Sequence, residues 1–364
     1  HSDVDINMVT PMMRQYLEIK NENPDIIIFF RLGDFYEMFF EDAVLASREL
    51  ELTLTGKNAG LEERIPMCGI PYHAAEIYIS KLTEKGYRVG ICEQLEDPTN
   101  AKGIVKRDII QIASVGTKIN NELNEKENNY IGNIVDLNHA YGISYADIST
   151  GEIYVLIVEH NPSKVISEII NHNIKEVVIN DKIDKVIHNT LAEQFKISVV
   201  IDNSINNLTE YQYIYSDIDD TRYIETIKHL LTYINKTQKR ILTHLQKAII
   251  KNNEKILKMN VHTKRNLELT ETLRLKKRNY SLIWLLDKTK TAMGSRMLKS
   301  MIEAPLIDKD EINKRYDIVE TLLKEFLLKS DLIDVLNEVY DLERLSGRIA
   351  FGNANARDLL QLKK

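Results

Sequence analysis

The sequence predicts a multidomain chain: two mixed α/β units followed by an all-α region. Three observations carry that expectation. Residues 8–118 and 130–218 alternate short β-branched or aromatic runs with stretches of helical period. From about residue 219 the period is helical, and Pro305 is the only proline in residues 219–364. A polar stretch rich in Asn and Glu, residues 119–129, reads as the linker between the first two units. At 364 residues the chain is too long for one ordinary core.

The first unit opens with a short helix, Pro11 to Asn21, and an apolar run, Ile26 to Phe30, that reads as a buried strand. Gly33-Asp34 is a turn signal, so the run Phe35 to Phe40 is expected to return as the second strand of a hairpin. Glu41 to Leu50 carries Ala43, Leu45, Ala46 and Leu50 at helical spacing, Leu52 to Thr55 returns to strand, and Gly56 to Arg64 is a polar loop. A further helix, Ala74 to Lys85, ends at Gly86, a residue suited to a left-handed cap, and Tyr87 to Glu93 is the next strand. Gly103 to Gly116 closes the unit. In the second unit, Tyr141 to Asp147 and Glu152 to Val158 flank Ile148-Ser149-Thr150-Gly151 as a hairpin, with later strands at Glu176 to Ile179 and Ile197 to Ile201. In the third region Ile224, Ile227, Leu230, Leu231 and Ile234 keep a helical period, and so do Ile241, Leu242, Leu245 and Ile249. Such stripes read as core.

The hairpin carries the candidate chemistry. A period of two puts Phe35, Glu37 and Phe39 on one face and Tyr36, Met38 and Phe40 on the other, with Phe35 and Glu37 ~7 Å apart. A Phe beside a Tyr and a Glu in a strand is ordinarily core plus a solvated charge. Near a hairpin tip the same pair has another use: an apolar ring can wedge between stacked bases from the minor groove and kink the duplex, while a carboxylate reads the displaced base.

Composition excludes several classes. With 43% hydrophobic and 28% charged residues the chain is an ordinary globular one. No run approaches the ~18 apolar residues of a membrane span, and the start lacks the pattern of a signal peptide. Two cysteines, Cys68 and Cys92, make neither a disulfide framework nor a zinc site; they are expected to be buried as small hydrophobes, in a cytoplasmic setting. The net charge of −6 is unevenly spread: residues 228–300 hold 18 basic and 4 acidic side chains. A stretch of that sign is either a footprint for phosphate or an acidic partner, or a solvated inter-helix face.

Several segments resemble the MutS family of bacterial DNA mismatch-recognition proteins. In the first unit they are Thr10-Pro11-Met12-Met13, Phe29 through Phe39, Ile65-Pro66-Met67-Cys68-Gly69-Ile70-Pro71-Tyr72-His73 and Val89-Gly90-Ile91-Cys92-Glu93-Gln94. Tyr145 through Glu152 resembles the family's connector domain. Lys264 through Leu269, Trp284 through Thr291, Met293-Gly294, Asp341 through Leu345 and Ala354 through Leu359 resemble its helical core.

The resemblance implies a mismatch-recognition domain over 8–118, a linker over 119–129, a ribonuclease H-like connector over 130–218 and a partial helical core over 219–364. It implies that Phe35 stacks on a mispaired base and Glu37 hydrogen-bonds it. It further implies mismatched duplex DNA, a homodimer and MutL as partners. The chain contains no Gly-x-x-x-x-Gly-Lys-Ser/Thr loop, so ATP and Mg are expected to belong to a part of such proteins further along, and no catalytic or metal residue is expected here. The chain departs from its relatives at Gln111, where a basic residue is usual, at Val115 within Ser114-Val115-Gly116-Thr117, where Thr-Pro-Gly-Thr is usual, and at Ala292 and Ala356, where Pro is usual. Two other readings are set beside this one: a DNA-binding scaffold without mismatch preference, and a ribonuclease H-like nuclease using a carboxylate such as Asp147.

Overall fold

A computed structural model describes residues 4–96, 103–118, 124–251 and 253–363. The chain divides into two compact units, His1–Thr117 with Ile234–Ile241, and Lys118–Tyr233 with Leu242–Lys364.

The first unit is built on a six-stranded sheet: β1 (Ile27–Leu32), β2 (Phe35–Phe39), β3 (Thr55–Lys57), β4 (Ile65–Pro71), β5 (Val89–Gln94) and β6 (Arg107–Ala113). The spatial order is β3-β4-β2-β1-β5-β6, with β1 and β5 parallel and the other neighbours antiparallel. Its helices are α1 (Pro11–Glu22), α2 (Phe40–Leu50) and α3 (Ala75–Glu84). One sheet face buries Ile28, Phe30, Phe39, Cys92 and Ile109 against Met13, Tyr16 and Leu17 of α1. The other buries Ile27, Phe29, Tyr36, Met38 and Cys68 against α2 and α3. Covering on both faces is why β1 reads as an unbroken apolar run. Cys68 and Cys92 lie on opposite faces, and burial pushes their thiols up to about 11 and about 12.

Two expectations fail here. The strand expected at Leu52 to Thr55 lies at Thr55–Lys57, because Glu51 closes α2 in the left-handed region (φ 57°) and the ladder to β4 begins only afterwards. Phe40 does not continue β2. Its φ of 52° turns the chain into α2, so the alternation stops and Phe40 packs on the same side as Phe39, its ring stacked 6.3 Å from that of Tyr16.

A buried polar group holds that corner. The Lys20 ammonium donates to Asp42 Oδ1 at 2.8 Å and to the Ile26 carbonyl at 2.7 Å. The other Asp42 oxygen accepts from the Ile28 amide at 3.0 Å and from the Tyr16 hydroxyl at 3.2 Å. Burial pushes the Asp42 carboxyl up, and Lys20 opposes that shift.

The second unit has its own six-stranded sheet: β7 (Tyr130–Asp136), β8 (Ala140–Asp147), β9 (Glu152–Glu159), β10 (Ile174–Ile179), β11 (Ser198–Ile201) and β12 (Ile249–Ile250), in the order β11-β10-β7-β8-β9-β12. The helix α4 (Pro162–Asn171), the short α5 (Lys185–Asn189) and the first turns of α6 (Thr221–Gln238) belong to it. The central strand β7 escapes sequence reading because Gly132 and Asn133 break its apolar pattern. Asn133 is fully buried, donating to the Thr226 carbonyl at 2.8 Å and accepting from the Ser144 amide at 3.1 Å. Gly142 of β8 lets α6 approach: a Cβ there would sit 2.0 Å from Thr226 Oγ1. The helical period at Ile241 to Ile249 is not a helix. Ile249 and Ile250 pair in parallel with Tyr154 and Val155, so the edge of β9 supplies the partners a helix would have found within itself.

Seven helices of this unit lie between residues 261 and 363 among the described residues, the longest being Ala292–Glu303, Lys309–Lys324 and Phe326–Asn337. The core reading holds for Ile227, Leu230, Leu231 and Ile234 of α6 and for Leu242, Leu245 and Leu345, but not throughout. Lys309–Lys324 and Phe326–Asn337 bury no residue, and Leu285, Leu286 and Leu359 are exposed. Of the expected linker, residues 119–123 lie outside the described residues. Its remainder is tied down: Arg296 donates to the Glu125 carbonyl at 2.8 Å, and Arg344 to the carbonyls of Asn124 at 3.0 Å and Glu127 at 2.5 Å.

Replacing Asp42 with Ala is expected to lower stability by about 3–5 kcal/mol, because it strands a buried ammonium. Urea unfolding measures this; a loss below ~1 kcal/mol would show that Lys20 finds water or another partner.

Candidate nucleic-acid interface

The tip of the β1–β2 hairpin is made by Gly33, whose φ of +56° suits a residue without Cβ, and by Asp34, whose carbonyl accepts from the Tyr72 amide at 2.9 Å. Phe35 pairs across to Leu32 on one side and Pro71 on the other. Phe35 is 48% exposed, whereas Phe39 on the same face is fully buried. Glu37 lies between them, opposite Phe30 and Gly69, and Gly69 puts no side chain over it. The face therefore grades along one strand from core to open surface.

Two sets of contacts brace this tip. Lys57, on the edge strand β3, forms an ion pair with Glu37, and its ammonium lies 5.4 Å from the Phe39 ring centroid. On the other face of β2, the Tyr36 hydroxyl donates to Glu93, which also pairs with Arg31 at 3.3 Å. Burial first, then Glu93, pushes the Tyr36 hydroxyl up, so it remains a donor. The Arg31 guanidinium lies 3.7 Å over the Tyr72 ring, which is itself exposed. The tip thus presents a half-exposed apolar ring, a mostly covered carboxylate paired with a lysine, and a planar cation stacked on an aromatic side chain. That combination suits bases and phosphates.

Asp147 is placed differently. It is fully buried, with one oxygen accepting from Asn128 Nδ2 and the Asn129 amide, each at 3.0 Å, and the other from the Ser149 amide at 2.9 Å and hydroxyl at 2.6 Å. Four internal donors occupy its lone pairs, the pattern of a carboxylate that shapes a turn. Among the described residues no three His, Cys, Asp or Glu side chains are grouped to hold a metal ion. Neighbouring Glu152 accepts from Asn128 at 3.2 Å and the Tyr130 hydroxyl at 3.3 Å. Its carboxyl is pushed up to about 7 by burial, then by Glu343 and Asp147.

Comparison with known proteins decides the lineage. Residues 10–122 match MutS domain I, residues 129–246 match MutS domain II and residues 262–364 match MutS domain III. The chain belongs to the MutS family. Over 357 residues it is 46% identical to proteins named DNA mismatch repair protein MutS from Bacillus thuringiensis (strain Al Hakam) and Bacillus cereus (strain B4264). The same figures hold for the protein of that name from Bacillus anthracis (strain CDC 684 / NRRL 3495). The match takes in 98% of this chain and 40% of each relative, so the chain spans about two fifths of the length of these curated MutS proteins.

The four positions expected to depart from the family pattern sit in defined local surroundings. Gln111 on β6 donates to Gln238 Oε1 at 3.1 Å. Val115 sits in a tight turn closed by the Ser114 amide donating to Thr117 Oγ1 at 2.9 Å. Ala292 and Ala356 each open a helix, the position that favours Pro. Caps hold both starts without it: Thr291 accepts from the Gly294 amide at 2.9 Å, and Asn355 accepts from the Asp358 amide at 2.9 Å. Part of the basic stretch at 228–300 is consumed internally, by pairs such as Arg278 with Asp287 and Arg296 with Asp341 and Glu343. Sequence reasoning missed Lys57, Arg31 and Tyr72. Arg31 and Tyr72 lie inside segments that carry the family resemblance, whereas Lys57 lies outside them and left no signal. Among the described residues no helix is long and apolar enough to cross a membrane.

The raised Glu152 group gives a pH dependence of stability. Its folded value of about 7 lies above the usual 4.5, so its contribution is full below pH ~4.5 and lost as pH rises through about 7. Glu152→Gln is expected to remove that decline, raising stability at pH 8 by up to about 3 kcal/mol relative to wild type. Thermal unfolding at pH 5 and pH 8 checks it; parallel pH profiles for the two proteins would refute it.

Proposed function

We propose that this chain is the part of a MutS protein that recognises mispaired or unpaired bases in duplex DNA and so starts mismatch repair. Phe35 is the wedge and Glu37 the base contact. The single observation that carries the reading is a large apolar ring, half exposed at a hairpin tip, on the same strand face as a carboxylate one pleat away. The names of the relatives support the substrate class.

The mechanism follows from the cost of deforming DNA. A mismatched step stacks and pairs less well than a matched one, so unstacking it costs less. Inserting the Phe35 ring turns that difference into a difference in binding energy. Glu37 sharpens it: a carboxylate among phosphates is repelled and desolvated unless a base hydrogen-bonds to it, so a matched duplex carries a penalty that a mismatch relieves.

In this reading residues 8–118 form the mismatch-recognition domain, 130–218 a ribonuclease H-like connector and 219–364 the start of the helical core. The role of this chain is binding. ATP hydrolysis with Mg, homodimer formation, engagement of MutL and a cytoplasmic location are assigned to the whole protein, of which the chain covers two fifths of the length of its relatives. The occupied lone pairs of Asp147 favour a binding role over a nuclease one.

The deciding experiment is a competition between mismatched and matched duplex at fixed salt, in the full-length protein, since phosphate contacts alone dominate affinity at low salt. Phe35→Ala is expected to weaken mismatch binding by about 1–3 kcal/mol, the worth of one base stack, while matched binding changes little. Equal affinity of wild type for both duplexes would overturn the proposal. Glu37→Ala is expected to narrow the mismatch preference by tightening binding to matched DNA; an unchanged ratio would remove Glu37 from the reading.

A further inference from the structure

Lys57 is twenty positions from Glu37 in sequence, on a three-residue edge strand, yet the two side chains form an ion pair. The side chains are 26% and 17% exposed, so the pair is largely shielded but still meets solvent. The sheet places the two strands on either side of β4, where Lys57 pairs with Ile65 and Glu37 with Gly69, so the Lys57 side chain reaches diagonally along the face, past Phe39, to meet Glu37 over Gly69, which puts no side chain between them. The ammonium also lies close to the Phe39 ring, at the buried end of the same face.

We infer that Lys57 is a specificity-setting residue: it neutralises Glu37 whenever no base engages the carboxylate, and so limits how strongly matched duplex is rejected. The inference rests on the proposed reading of Glu37 as the base contact. The physical argument is an exchange of partners. Against a matched duplex Glu37 has only Lys57 to offset the phosphates around it. Against a mismatch it gains a base, and Lys57 is released toward the phosphates. Lys57 therefore stabilises the matched complex more than the mismatched one. Lysine suits this role because its ammonium is a compact charge on a flexible stem, able to change partner without a fixed fork geometry.

The test is a cycle of wild type, Lys57→Met, Glu37→Ala and the double variant, in the full-length protein, titrated on matched and mismatched duplex over a salt series. Lys57→Met keeps an apolar stem beside Phe39. It is expected to weaken matched binding more than mismatched binding and to raise the mismatch-to-matched ratio roughly two- to fivefold, the range a partly exposed ion pair commands. In the Glu37→Ala background the same change should leave the ratio unaltered, and Lys57→Arg should restore it toward wild type. Glu37→Ala alone should steepen the salt dependence on matched duplex by about 0.9 in log-log slope, because Lys57 is freed for a phosphate, and should not do so when residue 57 is Met.

Equal weakening of both duplexes by Lys57→Met, or the same ratio change with and without Glu37, would make Lys57 a plain phosphate contact and overturn the inference. Should wild type show no mismatch preference at all, the base-contact reading falls by itself. The slope coupling on matched duplex then decides the ion pair, with additive slopes overturning it.

Discussion

The buried contact between Lys20 and Asp42 is the constraint on which the β1–β2 hairpin depends. Asp42 takes hydrogen bonds from the Ile28 amide, the Tyr16 hydroxyl and the Lys20 ammonium, and thereby ties α1, the start of β1 and the first turn of α2 to one point. Both strands of the hairpin are thus anchored at the end remote from its tip. A charge pair in an apolar interior is weak evidence for stability, since burial opposes both charges. Its consequence here is geometric: with both Asp42 oxygens held by three donors from α1 and β1, the strand-to-helix corner at Phe39 and Phe40 is held in place, and the tip beyond it inherits that definition.

The hairpin was legible because its signals are local. Gly33-Asp34 marks the turn, and the period of two places Phe35, Glu37 and Phe39 together, as the structure does. Phe40 was misplaced because a positive φ in a bulky residue leaves no mark in hydropathy. Lys57 was invisible for a different reason: its significance lies in a partner reached through two strand pairings, and polar residues between Gly56 and Arg64 read simply as loop. In the second unit β7 hid behind a buried Asn that donates to the Thr226 carbonyl and accepts from the Ser144 amide, partners outside its own strand. The period from Ile241 to Ile249 misled because apolar spacing reports which residues want burial, while the free edge of β9 decided the backbone's partners.

Charge shows the same division between composition and placement. The basic excess of residues 228–300 is real, but several of its members are internal fasteners. Arg278 pairs with Asp287, and Arg296 joins Asp341, Glu343 and the Glu125 carbonyl; further along the chain, Arg344 holds the carbonyls of Asn124 and Glu127. A segment that reads as a loose polar connector is in this part a clasped one, because guanidinium groups can satisfy backbone carbonyls as well as carboxylates.

The fall in burial along β2 has a consequence for how such a protein can change over time. Phe39 and Met38 are bound to the fold, and substitutions there are judged first by whether the chain still packs. Phe35 contributes little to that test because half of its surface already meets water. Four positions of a single strand therefore separate residues answerable to folding from one that folding leaves open to change. Lineages can revise what the tip presents while the scaffold beneath is inherited intact.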